Sequence, residues 1–361
     1  MTGKQKKLRS GFTTGACAAA AAKAASLMLL TGYALDQVEI PFPTGERHAF
    51  TLHSCVLQDG QVTVSIIKDA GDDPDVTNGA EIIAIVEQQD PGASGEDITI
   101  LGGPGVGKVT KPGLPIPVGE AAINPVPREM IRAAVGEAMV EVKIENIPLA
   151  VTICVTDGEL LAEKTLNSRL GIKGGLSILG TTGIVRPISA SAWTDTIEAS
   201  MKVARATGLT EVILSTGRTS EAAVQRILGL PEEAQVMMGD YLAYALKAAR
   251  RHGFENIYLS GMWAKVLKCA LGIPQTHVRH GALEVGQAAE LLFKSGLDRS
   301  AADALATANT AREIYQRLKA AGRDDLIHSV CEQAKRYAMK RSGLPVEVFL
   351  VTSEEGVVAH V

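Results

Sequence analysis

The chain has 361 residues, 46% of them hydrophobic and 21% charged, with a net charge of −4. That is the balance of a globular protein of about two domains. The absence of a long basic run argues against nucleic acid as a partner. Aromatic residues are only 4%, so the cores must be built from aliphatic side chains and alanine.

At the N-terminus, KQKKLR followed by ACAAAAAKAASLMLL resembles the basic and apolar regions of a signal peptide. Lys23 interrupts the apolar run, and a capped helix explains the segment better. Thr13-Thr14-Gly15 supplies an N-cap, Ala16 to Leu30 has high helix propensity, and Gly32 ends it. No stretch is read as nearing the ~20 apolar residues of a membrane span. The five cysteines, Cys17, Cys55, Cys154, Cys269 and Cys331, form no C-x-x-C pair. They indicate neither structural zinc nor a disulfide framework, and a reducing cytoplasm is the simplest location.

Strand-like runs follow: QVEIPF, HAFTLHSCVL, QVTVSII, EIIAIVEQ and EDITIL, separated by turn signals. Between QVTVSII and EIIAIVEQ lies KDAGDDPDVTNG, with Asp69, Asp72, Asp73 and Asp75 crowded together. A turn explains Asp, Gly and Pro here. Mutually repelling carboxylates also suit a hard cation, a general base or a clamp on a cationic ligand, although the calcium-loop spacing is not met.

GGPGVGKVT, Gly102 to Thr110, imitates a phosphate-binding loop, but Val109 stands where a hydroxyl should meet magnesium. The following KPGLPIPVG excludes the helix whose N-terminus would hold phosphates. From Gly102 to Arg128 there are six glycines and six prolines, read as an ordered loop or a mobile lid. A helix is expected over Arg128 to Met139, a strand in KIENIPLAVTICVT and a short helix in GELLAEKTLN. From Lys164 to Pro187 the chain has no acidic residue, four basic ones (Lys164, Arg169, Lys173 and Arg186) and five glycines. This suits a multiply anionic ligand, or a glycine-rich connection with solvated basic residues. It repeats the earlier Thr-Thr-Gly as Thr181-Thr182-Gly183.

Beyond Ile188 helices alternate with short apolar strands: EASMKVARAT, EVILST, EAAVQRIL, AQVMM, DYLAYALKAARRHG and NIYLSG. Helices continue to Arg341, and VEVFLVT and GVVAHV close the chain. The expected fold is an α+β N-terminal domain (1–187) followed by an α/β doubly wound, Rossmann-like C-terminal domain (188–361) with a helical tail. In such sheets ligands bind beyond the carboxyl ends of strands, which makes Thr216, Gly217, Ser260 and Gly261 candidates for a nucleotide-like cofactor. His277 and His280 are acid, base or ligand candidates, or plain surface histidines.

Together, LRSGFTTGACAAAAAKAA, DAGDDPDVTNGAEI, GGPGVGKVTKPGL, AINPVPR and TLNSRLGIKGGLSILGTTGIVRP resemble, in order, the signatures of the CbiD family, the cobalt-precorrin-5B (C-1)-methyltransferases of anaerobic cobalamin biosynthesis. The later family pattern is looser: Gly261, Lys265, Lys268, Thr276 and His277 match, while Met262 replaces a histidine, Ala264 a glycine, and Asn78 stands where histidine is common. The resemblance implies methyl transfer from S-adenosylmethionine to C-1 of a cobalt tetrapyrrole, with the cobalt carried by the substrate and no metal held by the protein. The alternatives are a methyltransferase on another tetrapyrrole, or a non-enzymatic corrinoid-binding protein. Expected roles are Asp69, Asp72, Asp73 and His277 in catalysis. Thr13, Thr14, Gly15, Lys173, Gly174, Thr181, Thr182 and Arg186 are expected to bind the substrate carboxylates, and Thr216, Gly217 and Gly261 the cofactor. The expected setting is cytoplasmic, away from membranes and nucleic acid, with a homo-oligomer as one option.

Overall fold

A computed structural model describes residues 8–90, 97–144, 147–187, 189–276 and 285–361. The chain divides into two compact units, Met1–Ser189 and Ala190–Val361, with a mixture of helices and sheets in each.

In the first unit β1 (Gly11–Phe12) leads into helix α1 (Thr14–Thr31). The Thr13 hydroxyl accepts from the Ala16 N–H, and Gly32, at φ 78°, ends the helix as a left-handed cap. Six strands follow: β2 (Gln37–Pro41), β3 (Arg47–Thr51), β4 (Ser54–Gln58), β5 (Gln61–Ile67), β6 (Glu81–Gln88) and β7 (Ile98–Gly102). HAFTLHSCVL is therefore two strands. Its first half pairs with β2, and its second half joins the main sheet through β5. Next come β8 (Lys108–Val109), α2 (Pro125–Glu141), β9 (Leu149–Val155), α3 (Gly158–Ala162), β10 (Ile172–Lys173) and β11 (Ile184–Val185). The main sheet runs β4-β5-β6-β9-β7, antiparallel except for β7 beside β9.

Helix α1 lies against α2, β5 and β6. Its alanines from Ala16 to Ala25 are fully enclosed, because a side chain of one methyl lets neighbouring backbones approach on every side. This corrects the expectation about apolar stretches. The α1 helix is long and apolar enough to cross a membrane, yet most of it is buried inside the first unit. Lys23, the residue that breaks the apolar run, is itself buried. Its ammonium donates to Glu137 (3.0 Å) and Glu141 (2.5 Å) of α2 and to the Glu39 carbonyl (3.1 Å). Hydrogen bonds from Arg47 first, and from Lys23 after it, hold the Glu137 carboxyl at about 2. Helix α2 begins at Pro125, not Arg128, because proline at the first helical positions forfeits no hydrogen bond.

The second unit contains α4 (Ala190–Ala206), β12 (Glu211–Ser215), α5 (Arg218–Leu228), β13 (Gln235–Met237), α6 (Leu242–Arg251), β14 (Asn256–Met262) and α7 (Trp263–Ala270). It continues with α8 (Val285–Lys294), α9 (Arg299–Leu305), α10 (Ala311–Ala320), α11 (Asp324–Ser342), β15 (Val346–Thr352) and β16 (Gly356–His360). The sheet order is β13-β12-β14-β15-β16; the first four are mutually parallel and β16 is antiparallel. Successive strand residues point to opposite faces. Ile213, Phe349 and Val351 pack with Val224 of α5 on one face. Val212, Leu214, Val348 and Leu350 pack with α4, α6, α7 and α11 on the other. Both faces are covered, so the strands read as nearly continuous apolar runs. The chain leaves β12 toward β13 on one side and returns past β12 to form β14 on the other. The carboxyl ends of β12 and β14 therefore lie side by side, with connections departing in opposite directions.

Candidate functional site

In the first unit the fold gathers four separate segments. The strand β1 pairs with β11, setting Gly11 opposite Val185 and Phe12 opposite Ile184. Thr13 N–H donates to the Gly183 carbonyl (2.9 Å), and Gly15 N–H to Leu179 (3.0 Å). The Thr14 hydroxyl donates to the Leu179 carbonyl (3.2 Å) and accepts from its N–H (3.0 Å). Side chains at Gly15 and Gly180 would collide with Pro127 and Thr13 respectively. The two Thr-Thr-Gly segments are thus locked against each other. Thr13 and Thr14 are buried, while Lys173, Gly174, Thr181, Thr182 and Arg186 are exposed. Within this segment Thr182 accepts from the Ile184 N–H (3.3 Å) and donates to its carbonyl (3.2 Å).

The aspartate turn is strapped to the residues just before β1. Arg9 grips Asp69 with two hydrogen bonds, 2.5 and 2.8 Å. The Arg9 N–H donates to Asp72 (2.7 Å), and the Asp72 N–H donates back to the Arg9 carbonyl (2.9 Å). Side chains at Gly11 and Gly71 would overlap the facing backbone of the other segment. The hydrogen bonds from Arg9 hold the Asp69 carboxyl at about 2, which makes it a weak base near neutrality. Asp75 has a different task. Its carboxylate accepts from Lys68 (2.6 Å), whose side chain is fully enclosed, and from both the N–H and hydroxyl of Thr77, each at 2.7 Å. Asp73 is half-buried in the same turn. The four aspartates therefore do not converge on one point: Asp69 faces Arg9 and Asp75 faces Lys68. Burial pushes the nearby Cys17 thiol up to about 12, although the Lys68 charge pulls the other way.

The loop GGPGVGKVT closes no phosphate site. Gly105 sits at φ 77°, and a side chain there would overlap the Val155 carbonyl. Side chains at Gly158 and Gly175 would overlap the backbone of Gly105. The glycines permit three backbones to touch, and Lys108–Val109 then continues as β8, paired with β10. A shallow depression of about 430 Å³ adjoins this packing, lined by Pro104, Gly105, Cys154 and Asp157 among others.

In the second unit Thr216, Gly217 and Gly261 do come together at the carboxyl ends of β12 and β14. The Thr216 N–H donates to the Ser260 carbonyl (3.1 Å). A side chain on Gly261 would press on Thr216 at 3.3 Å and Lys265 at 3.5 Å. Helices α5 and α7 begin at this edge with no side-chain cap. Beside them Lys265 pairs with Asp240, and the Thr276 hydroxyl donates to Asp240 (2.8 Å). The Thr276 carbonyl accepts from Lys268 (2.8 Å) and Lys265 (3.3 Å). Burial first, and the Lys265 charge second, draw the Lys268 ammonium below the usual lysine value, against the pull of Asp240. His277 and His280 lie outside the described residues.

Sequence reasoning gave no role to Arg9, Lys68, Asp240 or Trp193. The signal for Lys68 was present, since a lysine beside an aspartate run at a strand end is a natural counter-charge. Asp240 and Trp193 had no local signal.

Family models for CbiD and for the CbiD C-terminal domain match residues 1–187 and 275–361. The chain is 55% identical to the cobalt-precorrin-5B C(1)-methyltransferase of Desulfotalea psychrophila, covering 99% of this chain and 98% of that protein. It is 51% identical to the protein of the same name from Geotalea daltonii, over 92% of each. A crystal structure of the cobalamin biosynthesis protein (cbiD) from Archaeoglobus fulgidus aligns at 29% identity and a TM-score of 0.41, over 72% of this chain and 79% of that one.

Proposed function

The chain belongs to the CbiD family, and on that premise we propose that it is the methyltransferase acting at C-1 of cobalt-precorrin-5B, in cobalamin biosynthesis, with S-adenosylmethionine as the methyl donor. The donor's sulfonium is already a strong electrophile and the macrocycle carbon is the nucleophile. The protein's contribution is alignment, charge placement and exclusion of water. The observation that carries this reading is the joining of the Arg9-strapped aspartate turn, the Thr-Thr-Gly start of α1 and the acid-free segment before Pro187 into one surface.

Thr181, Thr182 and Arg186 are exposed beside β11, and Lys173, on β10 earlier in the same segment, is exposed too; they receive the substrate's carboxylates. Gly174 gives that segment its turn, at φ 77°. Thr13, Thr14 and Gly15 act beneath, by fixing the loop that carries these groups. Asp72 and Asp73 orient the ring. Asp69, committed to Arg9, holds the turn in place. The second unit is read as the Rossmann-like cofactor half, with the donor at Thr216, Gly217 and Gly261.

Anaerobic incubation of the protein with cobalt-precorrin-5B and S-adenosylmethionine is expected to add one methyl unit to the substrate and form S-adenosylhomocysteine, both read by mass. Recovery of the substrate with no added mass sinks the reading. Asp72→Asn is expected to lower turnover about 10-fold or more while leaving the thermal midpoint within a few degrees, because Asp72 is exposed and an amide oxygen can still accept from the Arg9 N–H. Unchanged turnover removes Asp72 from the mechanism.

A further inference from the structure

We propose that the Lys265–Asp240 pair reads the α-amino-acid end of the methyl donor. This inference rests on the donor reading given above. The donor ends in an ammonium and a carboxylate on one carbon, so it presents to a cation–carboxylate pair the same two charges in exchanged order. Asp240 accepts from the ammonium, and Lys265 donates to the carboxylate. Hydrogen bonds between charged groups of this kind are the strong ones.

The pair has the position and the build for this task. It adjoins Gly261 and Thr216, where the carboxyl ends of two parallel strands lie side by side. The pair is partly exposed, with the Lys265 and Asp240 side chains 29% and 21% exposed. It is also held in place. Thr276, itself buried, donates its hydroxyl to Asp240, and its carbonyl is held by the buried Lys268. A partly open salt bridge by itself adds little to stability. Backing by two buried groups instead sets the orientation of its charges, as a recognition site requires.

A second feature supports the assignment independently. Gly239, the residue before Asp240, has no side chain, and the Trp193 ring comes within 3.3 Å of where one would be. Trp193 is 41% exposed and stacks with Tyr241, ring centroids 6.3 Å apart. A flat aromatic surface therefore stands next to the charge pair, and the donor carries both a flat heterocycle and a zwitterion.

The test compares two ligands by calorimetric titration of the full chain. S-Adenosylhomocysteine has the amino-acid end; 5′-methylthioadenosine has the same nucleoside and thioether without it. In Asp240→Asn and Lys265→Met, affinity for S-adenosylhomocysteine is expected to fall roughly 10- to 100-fold, with binding of 5′-methylthioadenosine unchanged. Retained binding of 5′-methylthioadenosine also shows that the variants are folded. Undiminished S-adenosylhomocysteine binding, or an equal loss for both ligands, overturns the inference and leaves the donor reading standing. If the unsubstituted chain binds neither ligand, the donor reading itself fails and takes the inference with it.

Discussion

Gly105→Ala is expected to destabilise the first unit by about 4 kcal/mol or more, enough to deplete folded protein on expression. Two costs add. A non-glycine residue at left-handed φ costs about 1–2 kcal/mol, and here the new methyl would also overlap the Val155 carbonyl. Gly174 separates the two. It has the same φ of 77° but nothing within 4 Å of the position of its Cβ. Gly174→Ala is therefore expected to cost only the backbone share, about 1–2 kcal/mol. Urea unfolding of both variants checks this. Equal losses would mean that the backbone contact at Gly105 relaxes freely and that the glycine packing is not what fixes the loop.

Lys68→Met is expected to cost about 3–5 kcal/mol at neutral pH, because it leaves the Asp75 carboxylate in a mostly buried place without its cation. Asp75→Asn in the same chain is expected to recover part of the loss, since the uncompensated charge then disappears. The pH dependence has a definite sign. Burial by itself pushes the Asp75 carboxyl up. The charge and hydrogen bond of Lys68, with the bonds from Thr77, outweigh it and bring the carboxyl below its usual value. A carboxyl depressed in the folded state contributes stability that is fully present above its unfolded pKa of about 4 and is lost as pH falls through the folded value. The gap between the original chain and Lys68→Met should therefore be full at pH 6–7 and narrow below about pH 4. Denaturant titrations at pH 7, 5 and 3.5 measure it. A gap independent of pH would mean that Lys68 acts through its aliphatic stem alone.

These two variants bear on the proposed chemistry because both act through loops. Gly105, just before β8, lets the backbones at the end of β9 and just after β10 touch it, which fixes the chain immediately following Lys173. Lys68 and Asp75 fix the far end of the aspartate turn, whose near end is held by Arg9. A loss of turnover in either, at temperatures where the variant remains folded, would locate the alignment of the reactants in the rigidity of these loops.

Much was legible in the sequence wherever the signal is local. The α1 cap, the alternation in β5 and β6, and the apolar strands between helices in the second half follow from neighbours a few residues apart. The five ordered motifs likewise sufficed to identify the family. The start of α2 and the splitting of HAFTLHSCVL were misread because the same residues admit two local solutions. Proline can open a helix as well as break one, and a β-rich run can be divided between two sheets.

What only the tertiary structure decided is who meets whom. Arg9 reaches Asp69 across 60 residues, and Thr14 reaches Leu179 across 165. Of four aspartates that look like one cluster in sequence, Asp69 faces the Arg9 guanidinium, Asp75 the Lys68 ammonium, and Asp72 the Arg9 backbone N–H. Lys23, which looks like an interruption in an apolar helix, is the tie from α1 to α2. Local periodicity follows from backbone geometry and is written in every few residues. A buried ion needs a counter-ion in its low-dielectric surroundings, so Lys23 takes Glu137 and Glu141, 114 and 118 residues away, where the packed backbone brings them, and the spacing along the chain does not announce that pairing.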